Sequence, residues 1–176
     1  NESEVFSDNE AAGIVYSLEN YENDLPVMVN CFNKGSIKGV VTAGLAIEIV
    51  GKISGSYNMG NVTGIESASG LVNYCIGLKN YITIENCYNS GQVSSQQKAA
   101  GLLVEGGFVI KNCYNSGLII GRSYVAGLIS IGGGYIIDSY NEGNIQAESI
   151  YGGIISSIKE HESDFEIYDY EIFEDK

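Results

Sequence analysis

Apolar residues in this chain gather in short runs bounded by glycine and asparagine. "YITIENCY" (81–88), "FVIKNCY" (108–114) and "YIIDSY" (135–140) are rich in Ile, Val and Tyr. That is the composition of β-strands, and the three- and four-residue apolar spacing of a helix is missing. Strand alternation from Ile82 through Ile84 places Tyr88 on the same, inward face.

The runs recur. A six-residue pattern reads "NCFNKG" at 30, "GSYNMG" at 55, "NCYNSG" at 86 and again at 112, and "DSYNEG" at 138. Its second asparagine falls at Asn33, Asn58, Asn89, Asn115 and Asn141, in steps of 25, 31, 26 and 26. A small residue, a glycine and an aliphatic keep pace with it, with the glycines at Gly13, Gly44, Gly70, Gly101, Gly127 and Gly153. Two marks in register over five copies identify a repeat.

A unit of this size cannot bury its own apolar face and must stack on its neighbours. Strands and turns at this period predict an all-β, single-domain parallel β-helix (β-solenoid) of about five to six coils of ~26 residues, with right-handed coiling favoured by the general crossover bias. Like positions then form columns. The aromatic column is Phe32, Tyr57, Tyr88, Tyr114 and Tyr140, suited to ring stacking. The asparagine column is expected to occupy a left-handed turn and to bond amide to amide, and Gly35, Gly60, Gly91, Gly117 and Gly143 to free the backbone around that corner. Cys31, Ser56, Cys87, Cys113 and Ser139 share a column that asks for a small, weakly polar side chain.

The "CYNSG" corner followed about ten residues later by "AGL" resembles the GLUG repeats of bacterial, largely Gram-positive, cell-surface proteins, including non-catalytic parts of some immunoglobulin A peptidases and adhesin-like proteins. The resemblance spans roughly residues 30 to 158, with a weaker first copy from residue 12. Where a further glycine often follows in that family, this chain reads "GLAI", "GLVN", "GLLV" and "GLIS". The resemblance implies an extracellular or cell-surface location and supplies no catalytic residue.

Charge changes the picture less than its total of −13 suggests. Residues 1–29, an acidic flank with a first incomplete coil, hold seven acids and no base, and residues 159–176, an acidic aromatic cap or linker, hold eight acids against Lys159 and Lys176. The repeat region 30–158 balances seven bases with seven acids. Clustered cations for nucleic acid are therefore missing. No apolar run is long enough for a membrane span, so no membrane insertion is expected. The chain opens on Asn1 and reads as a segment of a longer polypeptide.

Candidate chemistry is sparse. The lone His161 lies in the tail, so a zinc site lacks paired ligands, and no metal or cofactor is expected. In-register strands aim Cys87 and Cys113 side by side, which favours buried free thiols over a disulfide; Cys75 stands outside the column, in a loop. A polysaccharide-processing enzyme would need clustered carboxylates, whereas the acids are scattered and Arg122 is the only guanidinium. Three or more acids gathered in a pocket at Arg122 would favour that alternative. Glu85 and Lys111 align between neighbouring repeats and can pair.

The two 31-residue steps mark insertions around "NYENDLPVM" (20–28) and "NYCIGLK" (73–79), entering on one side of the coil. Tyr21, Asn23, Tyr74 and Lys79 are the expected ligand-contacting residues. The tail, with Phe165, Tyr168 and Tyr170, is expected to cover the last coil, and "NESEVFSDNE" to cover the opposite end or hang free. The function implied is a non-catalytic stalk or adhesive module, monomeric, whose partners are a host protein or glycan or neighbouring domains of the same chain. The alternatives are the polysaccharide-processing enzyme and an accessory domain of a surface peptidase.

Overall fold

A computed structural model describes residues 1–19, 25–75 and 82–158. It is all-β, and every paired strand is parallel to its neighbour. Successive passes of the chain lay strands one above another in four stacked sheets, a solenoid-like repeat fold.

The corner sheet has five two-residue strands, with Tyr57–Asn58 pairing Phe32–Asn33 on one side and Tyr88–Asn89 on the other, followed by Tyr114–Asn115 and Tyr140–Asn141. Next along the chain is a six-stranded sheet whose members include Ile37–Lys38, Val62–Gly64 and Val93–Ser95. A second six-stranded sheet precedes the landmark glycines and includes Val41–Ala43, Ser67–Ser69 and Lys98–Ala100. The largest sheet carries two strands per pass where the chain is interrupted, such as Val72–Cys75 and Ile82–Glu85, and one nine-residue strand where it is not, as in Leu103–Lys111 and Ile129–Ile137.

The core is columnar. Leu45, Leu71, Leu102 and Leu128 are fully buried, as are Ile53, Ile84 and Ile110. Each such side chain contributes about 1.5–3 kcal/mol by leaving water, which lets a unit too small to fold alone hold its shape against its neighbours.

Tyr88 does not face inward. It is half-buried, as are Phe32, Tyr57 and Tyr114, while Asn33, Asn58, Asn89 and Asn115 are fully buried. The alternation that leads in from Ile84 is broken at Asn86, whose φ is 53°. A left-handed residue turns the chain without using up a pleat, so Cys87 takes the inward place and Tyr88 the outward one.

The left-handed residue is also not the one expected. Positive φ falls at the first position of the motif, Asn30, Gly55, Asn86, Asn112 and Asp138, and the second asparagine sits in a strand. Asn and Asp tolerate this conformation because their short polar chains bond locally. Gly91 and its equivalents serve close approach instead: a Cβ on Gly91 would strike the carbonyl oxygen of Gly60, and one on Gly117 that of Gly91. The landmark glycines obey the same rule, Gly44 against the Gly70 carbonyl and Gly101 against that of Gly127.

The acidic N-terminal stretch neither hangs free nor simply covers an end. Val5–Phe6 pairs with Ile37–Lys38 and Glu10–Ala12 with Val41–Ala43, both in register, so this stretch forms part of a coil itself. The tail 159–176 lies outside the described residues.

Candidate functional site

The repeated letters are consumed by scaffolding. Asn33 Nδ2 donates to Asn58 Oδ1 at 2.8 Å, Asn58 to Asn89 at 2.7 Å, Asn89 to Asn115 at 2.7 Å and Asn115 to Asn141 at 2.8 Å. Asn1 adds a further rung, donating to Asn33 at 2.8 Å. The other amide hydrogen of each goes to the carbonyl two residues on, as from Asn89 to Gly91 at 2.9 Å. A buried amide is thus satisfied on both hydrogens, and its neighbouring glycines are the only residues narrow enough to flank it.

A second ladder runs through the cysteine column. The backbone N–H of Cys31 donates to Ser56 Oγ at 3.0 Å, that of Ser56 to Cys87 Sγ at 3.4 Å, that of Cys87 to Cys113 Sγ at 3.4 Å and that of Cys113 to Ser139 Oγ at 3.0 Å. Each side chain in turn donates to the carbonyl two residues back, Ser56 at 2.9 Å and Cys87 at 3.1 Å. This is why serine and cysteine can replace one another there: the position needs one small group that both accepts and donates. The cysteines carry no disulfide. The Cys87 thiol is pushed up by its hydrogen bond with Cys113 and by burial, which opposes thiolate formation and suits a packing role.

Outside the asparagines stand the rings. Tyr57 and Tyr88 have centroids 4.8 Å apart and planes 3° off parallel, Tyr88 and Tyr114 are 5.0 Å apart and 6° off, and Tyr114 and Tyr140 are 5.4 Å apart and 9° off. Phe32 continues the stack at 5.4 Å from Tyr57, with Lys34 Nζ 4.9 Å from the Phe32 centroid. Desolvation within the stack raises the phenols of Tyr88 and Tyr114.

Of the four residues expected to contact a ligand, Tyr21, Asn23 and Lys79 lie outside the described residues. Tyr74 is half-buried in Val72–Cys75, in register between Glu48 and Glu105, and packs against Val41, Ala43 and Ile47. The strands flanking the two interruptions occupy the same sheet with one short pass between them: Val15–Leu18, Ala46–Ile49 and Val72–Cys75 lie in order. Both interruptions therefore leave from one side of the fold. Cys75 ends its strand and packs partly against the core, where burial raises its thiol.

Charged groups outside the ladders pair locally. Lys52 meets Glu85 at 2.6 Å, and this contact, ahead of Lys111, holds the Glu85 carboxyl below its ordinary range. Glu85 and Lys111 are register partners as expected, but the short ion pair is with Lys52. Lys98 meets Glu105 at 2.9 Å. Burial, with Glu10 and Glu19 nearby, raises Glu48, and a hydrogen bond to Glu10 pushes Tyr16 up to about 12. Among the described residues no group of three metal-ligating side chains gathers. The hollow at Arg122 holds a single acid, Glu148, at 3.1 Å from the guanidinium.

One feature was not anticipated from the sequence. A groove of ≈ 460 Å³ crosses the outer face of the six-stranded sheet beginning at Val5–Phe6, between Phe6, Lys38, Thr63 and Ser94 on one wall and Asp8, Val40, Ile65 and Gln96 on the other. Its floor is formed by small residues, Ser7, Gly39, Gly64 and Ser95: a Cβ on Gly39 would approach the Asn9 carbonyl and one on Gly64 the Ser67 carbonyl, while Ser95 Oγ donates to the Ile65 carbonyl at 3.2 Å. The hollow at Arg122, ≈ 330 Å³, shares Ser95 and Gln96 with it and extends it along the stack. The available signal was a small residue at one position, as at Gly39, Gly64 and Gly121. Chemically unlike residues on either side of it concealed the groove.

Comparison with protein-family models, with curated proteins and with solved structures finds no match to this chain.

Proposed function

We propose that the chain is a non-catalytic structural and adhesive repeat module of an exported bacterial surface protein, serving as a stalk or binding scaffold at the cell surface. In this reading it is a right-handed β-solenoid of five to six coils of about 26 residues, akin to the GLUG repeats its corner motif resembles. The observation that carries the proposal is the fate of the recurring polar residues. The asparagines, serines and cysteines that a catalytic reading would recruit are bonded to one another and to backbone, up and down the stack. The single acid at Arg122 gives no support to the polysaccharide-processing alternative.

Exposure on intact cells tests the location. Antibodies against residues 30–158 should label unbroken cells that make the parent protein, and external protease should remove the signal. Labelling only after lysis overturns it. Release of new reducing ends from polygalacturonate or alginate by the purified chain would overturn the non-catalytic part.

A further inference from the structure

We infer that the groove over Phe6, Thr63, Ser94 and Gln96 is a binding site for an extended, uncharged glycan. The inference rests on the reading of the chain as a binding scaffold.

Three properties of the groove point to this ligand class. The first is what it cannot offer. Strands Ile37–Lys38, Val62–Gly64 and Val93–Ser95 are each paired on both sides, and only Val5–Phe6, at one end of the groove, is a sheet edge, so along the length of the groove a peptide finds no backbone to join by strand addition. Recognition must run through side chains.

The second is charge. Lys38 lies 3.2 Å from Glu4 and Arg122 lies 3.1 Å from Glu148, so each cation along the groove is matched by an acid of the same chain. Asp8 adds a further negative charge to the wall. An acidic polysaccharide or a nucleic acid would meet no net positive field, whereas a neutral polymer loses nothing.

The third is the mixture of surfaces and the length of the groove. Phe6 is 69% exposed and Ile65 47% exposed, apolar area that water covers poorly. Beside and beyond Ile65 stand hydroxyls, with Ser94 Oγ donating to Thr63 Oγ1 at 3.3 Å, and the exposed Gln96 amide. A sugar ring presents the complement, an apolar C–H face for an aromatic ring and hydroxyl edges for hydroxyl and amide side chains. Strands about 4.8 Å apart carry the groove along the stack, past Ser95 and Gln96 to the hollow at Arg122, a length that suits an extended chain rather than one small molecule.

The test is an NMR titration of the 176-residue chain with hexasaccharides of β-1,4-glucan, β-1,3-glucan, α-1,4-glucan, β-1,4-mannan and β-1,4-N-acetylglucosamine, with oligogalacturonate as the charged comparator. At least one neutral hexasaccharide should give saturable shifts centred on Phe6, Thr63, Ser94 and Gln96. Phe6→Ala should weaken that binding at least tenfold without moving the thermal midpoint, and Gln96→Ala should weaken it less. Silence from all five at millimolar concentration, saturable shifts elsewhere only, undiminished binding by Phe6→Ala, or tighter, salt-sensitive binding of oligogalacturonate would each overturn the inference. Mass spectrometry of the bound sugar separates it from the scaffold reading. Intact hexasaccharide supports both. Shortened sugar with the same shifts keeps the groove and overturns the non-catalytic role.

Discussion

The corner carrying asparagine and tyrosine and the side carrying the two interruptions belong to the same passes of the chain, yet they tolerate change very differently. At the corner, five passes repeat the same bonds to within about a tenth of an ångström. On the far side the same span is crossed in three ways. It is interrupted after Leu18 and Cys75, pinched at Gly51 with φ 129°, and run straight through Gly106, with φ 144°, in Leu103–Lys111. The difference follows from what each position touches. A corner asparagine is bonded above, below and to its own strand, so a change in one pass strands polar groups in two others. The crossing depends on no side-chain ladder, and a longer path costs only loop entropy.

The hardest blow to the corner should come from Gly91→Ala, whose methyl meets a backbone carbonyl that has nowhere to go. A loss of about 3 kcal/mol or failure to fold is expected in urea melts. Gly60 and Gly117 equivalents should behave alike, and a mild Gly91→Ala would break the comparison. Asn89→Ala comes next, at about 2–3 kcal/mol, since it leaves the Asn58 amide and the Asn115 carbonyl without a buried partner. By contrast, replacing residues 76–81 with the short connection found at Val50–Gly51 should shift stability by no more than about 1 kcal/mol, because loop entropy varies slowly with length.

Ser69 gives a smaller effect of opposite sign. Its hydroxyl is fully buried without a hydrogen-bond partner, in a column that holds alanine at Ala43 and Ala100. Ser69→Ala should therefore stabilise by about 1 kcal/mol, read as a raised urea midpoint. The smallest is the Lys52–Glu85 pair. The folded carboxyl lies below its ordinary value of 4.5, so its contribution is present above that pH and lost as pH falls through the folded value. Glu85→Gln should flatten that part of the acid limb and leave the midpoint near pH 7 only slightly lowered.

The pairing of like letters was legible in the sequence. Tyr57 with Tyr88, Asn58 with Asn89 and Val62 with Val93 are register partners, as two spaced landmarks required. The direction of Tyr88 was not, because alternation assumes an extended chain and Asn86 turns through the left-handed region. The job of Gly91 was misread for a related reason: a repeated glycine reports either an unusual φ or a close neighbour, and only coordinates separate the two. The groove stayed invisible since the residues along one wall, Phe6, Lys38, Thr63 and Ser94, share a position without sharing chemistry. Tyr21, Asn23 and Lys79 lie outside the described residues.

Every bond of the buried asparagine ladder points the same way, from Asn1 toward Asn141, opposite to the exposed bond from Asn112 to Asn86. The amides therefore polarise one another in series and give the stack a sense of direction, like an arrow through its length. At Asn1 the amide oxygen accepts from the Ser3 N–H at 3.2 Å. At Asn141 the amide donates to the Gly143 carbonyl and among the described residues has no further asparagine to give to. A further rung on the column there must bring an acceptor for that amide.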